Sequence, residues 1–257
     1  RGMEATMINP SHFRAAALQS LLMITLTLGL AGCGDDSDGP GTVTVSLSVV
    51  EFQPGMNDLP LEGAEVCVSD STNCATSDAD GMVTMEVPAN AEIVFEVTAA
   101  GYGPTLTPQA TTDQDVTTQL SPLLADSVVS LLAGILETPY PFGESGVIAI
   151  STLVEPVGAD GNGIAGVTYT PDQTLISYYL DQDEIPRVEA TATAEPSGAG
   201  GFIEVAPGTY EVTLGGTASN CVVVAGWPGN GAGSVRLPVR AGFITQGIVT
   251  CDPVSAP

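Results

Sequence analysis

Apolar and polar residues alternate in short runs along most of this chain. In TVTVSLSV, Val43, Val45, Leu47 and Val49 alternate with Thr and Ser, the period-two signature of a half-buried strand. In EIVFEVT, Ile93, Phe95 and Val97 share one face, with Glu92, Glu96 and Thr98 on the other. Turn-forming clusters (QPGMNDLP, DADG, AAGYGP) separate such runs, the spacing of a small antiparallel β-sandwich. One stretch breaks the pattern. In SPLLADSVVSLLAGILE, residues 121–137, Leu124, Val128, Leu131, Leu132 and Ile135 recur at steps of three and four, which predicts an amphipathic helix. Ser121 is the expected cap and Pro122 the first-turn residue; Thr138, Pro139 and Pro141 end it. At ~15 residues it spans ~22 Å and carries Asp126, so it reads as a packed linker and not as a membrane span.

The strand-rich region after this linker repeats the one before it. PLEGAEVCV matches GIAGVTYTP, with Leu61, Gly63 and Val66 against Ile164, Gly166 and Tyr169. DADGMVTMEVPA matches SGAGGFIEVAPG, which sets Pro88 against Pro207 and Gly81 against Gly200 or Gly201. The second copy then holds an insertion, DQTLISYYLDQDEIPR. Two copies of one module account for this better than a single large sheet. The order L-x-G-A-x-V, then T-x-D-A-D-G with alternating apolar residues, then V-P-A or A-P-G-T-Y-E-V, then A-A-G-Y, resembles the carboxypeptidase regulatory-like domain. That family is similar to transthyretin-like and immunoglobulin-like β-sandwiches. The first copy lacks the Gly-Thr-Tyr present at Gly208, Thr209 and Tyr210, and the second lacks the Gly-Tyr present at Gly101 and Tyr102. The resemblance implies a sandwich fold without catalytic residues of its own. The expected fold class is mostly β: two tandem antiparallel sandwiches, 42–120 and 146–253, joined by a linker with a helix, 121–145, and ending in a short tail, 254–257.

The beginning of the chain reads as targeting. Arg14 precedes the apolar run AAALQSLLMITLTLGL, which ends at Leu30, Ala31, Gly32 and Cys33. The run has the length of a signal-peptide core and is short for a membrane span. The last four residues look like a bacterial lipobox, which makes 1–32 a lipoprotein signal and Cys33 the lipid attachment site. The frame is expected to open at Met3 or Met7. GDDSDGPG follows, so 33–41 is read as a flexible acidic tether. The expected location is exported and lipid-anchored, at the outer membrane or cell surface.

Charge narrows the chemistry. The formal net charge is −25, with 30 acids, no lysine, and a single histidine, His12, inside the expected signal. Beyond Cys33 the basic residues are Arg187, Arg236 and Arg240. Attraction to nucleic acid is therefore excluded as a role. Without His or Lys beyond Cys33, Ser-His-Asp, Cys-His and Schiff-base devices have no base or amine, and a His-containing zinc peptidase site has no ligands. Only carboxylate pairs remain for hydrolysis, and the acids fall in turns such as DQDE. No cofactor is expected.

The remaining candidates are few. An exported compartment permits disulfides. Cys67, Cys74, Cys221 and Cys251 allow three pairings, of which 67–74 with 221–251 is the economical one. Asp78 and Asp80 before Gly81 are weak calcium candidates, for an EF-type loop needs a third acid and a distal glutamate. The repeat keeps the glycine and loses both acids, which favours a turn. Trp227 is a weak sugar-platform candidate; Tyr178 and Tyr179 are adjacent, so they face opposite sides of a strand. The expectation is a non-enzymatic envelope lipoprotein that acts as a structural, adhesion or scaffold module, contacting the membrane through its lipid and an envelope protein or glycan. A carbohydrate-binding surface protein and a carboxylate-only hydrolase are the alternatives.

Overall fold

The computed structural model describes residues 41–52, 58–155 and 162–253. The signal segment, Cys33, all of the tether but Gly41, and the tail at 254–257 lie outside these residues. The described chain is mostly β. The strands before the helix are β1 (Thr42–Glu51), β2 (Leu59–Pro60), β3 (Glu65–Val68), β4 (Cys74–Thr76), β5 (Met82–Pro88), β6 (Glu92–Thr98), β7 (Thr105–Ala110) and β8 (Val116–Leu123). After helix α1 (Asp126–Ile135) come β9 (Gly146–Leu153), β10 (Val167–Pro171), β11 (Ile176–Leu180), β12 (Pro186–Arg187), β13 (Ala199–Val205) and β14 (Gly208–Gly216). The last four are β15 (Ala218–Ala225), β16 (Trp227–Pro228), β17 (Ser234–Val239) and β18 (Ile244–Pro253).

Alternation along each strand builds a separate hydrophobic core in each half. In the first, Leu47 of β1 and Met85 of β5 face Val66 of β3 and Phe95 of β6. In the second, Ile148 of β9 and Phe202 of β13 face Tyr169 of β10 and Leu237 of β17. Val83, Met85 and Val87 point inward as their alternation requires, at 2%, 4% and 1% exposure.

Hydrogen bonds show how closely the halves correspond. Gly63 N–H donates to Ser77 O (3.0 Å) and Gly166 N–H to Thr193 O (2.8 Å). The Ser77 hydroxyl accepts from Ala64 N–H (2.9 Å) and donates to Leu61 O (2.6 Å). The Thr193 hydroxyl does the same between Val167 N–H (2.9 Å) and Ile164 O (2.6 Å). Val49 N–H donates to Gly81 O (2.8 Å), and Thr152 N–H to Gly198 O (2.9 Å). Gly81 and Gly198 both have positive φ, +72° and +59°, and a Cβ would stand 2.4 Å from Val49 O and 2.3 Å from Thr152 O. Only glycine fits so close a backbone approach at that φ.

This corrects the sequence register. Gly81 corresponds to Gly198, not to Gly200 or Gly201. The proline used as anchor lies beyond a register shift in β13, between Phe202 and Val205, so matching outward from Pro207 slips by two or three residues. The expected insertion holds strands β11 and β12, which extend the sheet beyond β13. A further pair, β15 and β16, stands between β14 and β17.

The helix also differs from its expected bounds. Residues 121–123 belong to β8, which runs parallel to β1 and pairs Ser121 with Val49 and Leu123 with Glu51. Ser121 caps nothing: it is fully buried and shares a hydrogen bond with the Thr107 hydroxyl (2.8 Å). Ala125 occupies the N-cap position without a side-chain bond. The buried residues of the helix are Val129 and Ala133, whereas Leu131 and Ile135 are 64% and 41% exposed. Apolar residues nearly encircle this helix, so periodicity alone did not fix its inward face.

The halves are joined by pairing. Strand β18 runs parallel to β9 and, at Ile244 and Thr245, parallel to β7 at Thr105 and Leu106. One ten-stranded sheet therefore passes through both halves, in the order β12-β11-β13-β9-β18-β7-β6-β3-β4 with β15 branching from β18.

Candidate functional site

Two places combine specific side chains: the seam between the halves, and a cavity under the helix. At the seam, Trp227 donates its indole N–H to Ile93 O (3.1 Å). The Arg236 guanidinium lies 5.7 Å from the centre of that ring and pairs with Glu92, a cation–π contact joined to an ion pair. Arg240 pairs with Asp70 (2.7 Å) and with Glu96; Glu96 also accepts from the Ser69 hydroxyl (2.7 Å). Gly226 N–H donates to Pro108 O (2.8 Å) and Ile244 N–H to Pro104 O (3.0 Å). Two of the three arginines beyond Cys33 thus bridge the two halves. The third, Arg187, pairs with Asp181 inside the β11–β12 hairpin (2.9 Å), and that bond holds the Asp181 carboxyl below its ordinary range.

The cavity has a volume of about 660 Å³ and lies between α1 and the outer face of the β13-β9-β18 sheet. Its floor follows from register. Gln246 of β18 pairs with Ala149 of β9, Ala149 with Gly201 of β13, and Gly201 with Tyr178 of β11. Directly paired residues project from the same face of a sheet, so these four form one row. The next row is Ile248, Ser151 and Ala199. Small side chains in the middle of both rows leave the space that Leu132, Ala133 and Leu136 roof from the helix. Burial pushes the Tyr178 phenol up from its ordinary pKa. Gln246, 6% exposed, donates through Nε2 to Pro122 O, and its Oε1 has no partner. Ser197 Oγ, also lining the cavity, is likewise buried without a partner.

The sequence-derived candidates fall elsewhere. Cys67 bonds Cys74 across the β3–β4 pair, and Cys221 bonds Cys251 across β15 and β18. Asp78 accepts at Oδ1 from Asp80 N–H (3.0 Å) and Met82 N–H (2.8 Å), so this oxygen closes the turn. Asp80 is exposed on the same turn. Among the described residues, no three of His, Cys, Asp and Glu are grouped as metal ligands. Trp227 is half-buried, committed to the seam through its N–H and covered on one side by Arg236. Tyr178 faces the cavity, whereas Tyr179 enters the second core, where its hydroxyl accepts from Tyr169 N–H (2.8 Å). Sequence reading missed the cavity, although the alternation of Val147, Ala149 and Ser151 with Ile148, Ile150 and Thr152 already marked one face of β9 as small. It missed the seam too, where the scarcity of cations was the available signal.

No protein-family model matches the chain, and no curated protein matches it. Among solved structures it is similar in outline to the minor pilin GBS52 of Streptococcus agalactiae, at 11% identity and a TM-score of 0.28, over 84% of this chain and 98% of that one. It is similar to the shaft pilin SpaA of Lactobacillus rhamnosus GG, at 12% identity and a TM-score of 0.25, over 84% and 100% of the two chains. It is also similar to the Bacillus anthracis TIE protein, at 10% identity and a TM-score of 0.27, over 82% of this chain and 34% of that one, about a third of its length. At these scores the likenesses carry no functional weight.

Proposed function

We propose that this chain is a non-enzymatic module of the cell envelope, a scaffold of two sandwich copies tethered at Cys33 and built to hold a fixed geometry. The copies correspond to 42–120 and 146–253, each of the carboxypeptidase regulatory-like type, with the helix set between them. The seam carries this reading. Two of the three arginines beyond Cys33, the indole N–H of the only tryptophan and a shared strand all serve to fix one half against the other. A carboxylate hydrolase needs a pair of acids set across one pocket; here Asp78 and Asp181 close turns, and Asp70, Glu92 and Glu96 pair with arginine. A spacer or adhesion scaffold gains from a rigid joint because ordering is then complete before any partner binds.

The test is made in cells. Wild-type protein is expected in the envelope fraction and accessible to protease added to intact cells, and Cys33→Ser is expected in the soluble fraction. Equal retention of Cys33→Ser in the envelope, or full protection of wild type from external protease, contradicts the tethered surface scaffold.

A further inference from the structure

The cavity under α1 has features that a packing defect lacks. Its volume lies within the range of small-molecule sites, about 300–1,000 Å³, and its walls are largely apolar. The polar atoms that enter it are specific. Pro122 O holds Gln246 Nε2, and this fixes the orientation of the amide, since a flip would set two carbonyl oxygens against each other. Gln246 Oε1 is thereby presented inward as a pure acceptor, 94% buried with its residue and without a protein partner. A buried acceptor left unmade is costly, so an occupant that donates to it is favoured. Ser197 Oγ offers a second point for a hydroxyl. The charged residues of the lining are Asp58 and Glu184, and no arginine takes part. In a chain of formal charge −25, these acids disfavour a carboxylate, sulfate or phosphate head.

We infer that this cavity is a binding site for a neutral apolar molecule carrying a hydrogen-bond donor, of the class of a long-chain alcohol or an aromatic alcohol or arylamine. The aliphatic part lies over Ala149, Ser151 and Ala199 beneath Leu132 and Leu136, and the donor faces Gln246 Oε1.

N-phenyl-1-naphthylamine suits the test: it is neutral, has one N–H donor, and brightens in apolar surroundings. Saturable uptake by the purified full chain is expected, displaced by 1-dodecanol and not by dodecanoate at pH 8. Ala149→Leu fills the floor and Leu132→Trp fills the space from the helix side, and each is expected to abolish uptake. Gln246→Leu keeps the volume, removes the acceptor and is expected to weaken 1-dodecanol about fivefold. Thermal melts identify a variant that has not folded, and one folded filling variant suffices. Three results overturn the inference: no saturable uptake, uptake unchanged in a folded filling variant, or equal displacement by dodecanoate. A concentration-dependent dimer that excludes the probe also overturns it and assigns the apolar face to a second copy.

Discussion

Replacing Thr193 with valine removes one hydroxyl and almost no volume. That hydroxyl accepts from Val167 N–H and donates to Ile164 O, and Thr193, Val167 and Ile164 are 5%, 0% and 4% exposed. The backbone bonds of Thr193 to Val167 and Gly166 do not involve the side chain and survive, so the register stays and the hydroxyl is tested alone. Two buried backbone groups lose their partner at about 1–3 kcal/mol each, partly relieved by relaxation, for a loss of about 2–4 kcal/mol. Thr193→Ser keeps both bonds and loses one methyl group, about 1 kcal/mol. Ser77→Ala repeats the experiment in the first half, with a smaller loss of about 1–3 kcal/mol, because Leu61 is only half-buried. Urea titration of all three, with hydrogen exchange at Ala64 and Val167 N–H, measures the losses. A Thr193→Val protein as stable as Thr193→Ser would show that the hydroxyl contributes nothing to the turn.

The other predictions concern single features. Gly81→Ala and Gly198→Ala set a methyl group against Val49 O and Thr152 O at positive φ, and each is expected to cost more than about 1 kcal/mol in chemical denaturation; a neutral result at either excludes the tight turn there. Loop-closure entropy assigns about 2.5 kcal/mol to Cys67–Cys74 and about 3.7 kcal/mol to Cys221–Cys251, whose sequence separations are 7 and 30. Cys221→Ala/Cys251→Ala should therefore destabilise more than Cys67→Ala/Cys74→Ala. Burial, and then the hydrogen bond to Asp126, push the Tyr140 phenol up to about 12. A raised folded pKa means that this stabilisation is whole below pH 10 and is lost as pH rises through about 12. Absorbance of tyrosinate should rise later in wild type than in Asp126→Asn, and identical curves contradict the contact.

Much of the fold was legible because alternation at period two survives wherever one strand face is buried. Val43 to Val49 and Val83 to Val87 announced their inner faces. The disulfide pairs followed from proximity in sequence. Other features were hidden for physical reasons. Ser121 and Pro122 carry the signature of a helix start, yet Leu123 gains full burial and β8 a parallel ladder on β1, and these outweigh a cap of about 1 kcal/mol. The repeat register slipped because the shift in β13 separates Gly198 from Pro207. Nothing local in Trp227, Arg236 or Arg240 names Ile93, Glu92 or Glu96 as partners more than a hundred residues away. The unpaired Gln246 Oε1 depends on Pro122, which only the fold brings beside it.

The claim that the two halves form one body is tested most directly by calorimetry. Wild type is expected to unfold in one transition, with calorimetric and van't Hoff enthalpies equal. Trp227→Ala, Arg236→Ala and Arg240→Ala combined should resolve it into two. Two independent transitions in wild type, unchanged in the triple variant, would contradict the joint on which the scaffold reading stands.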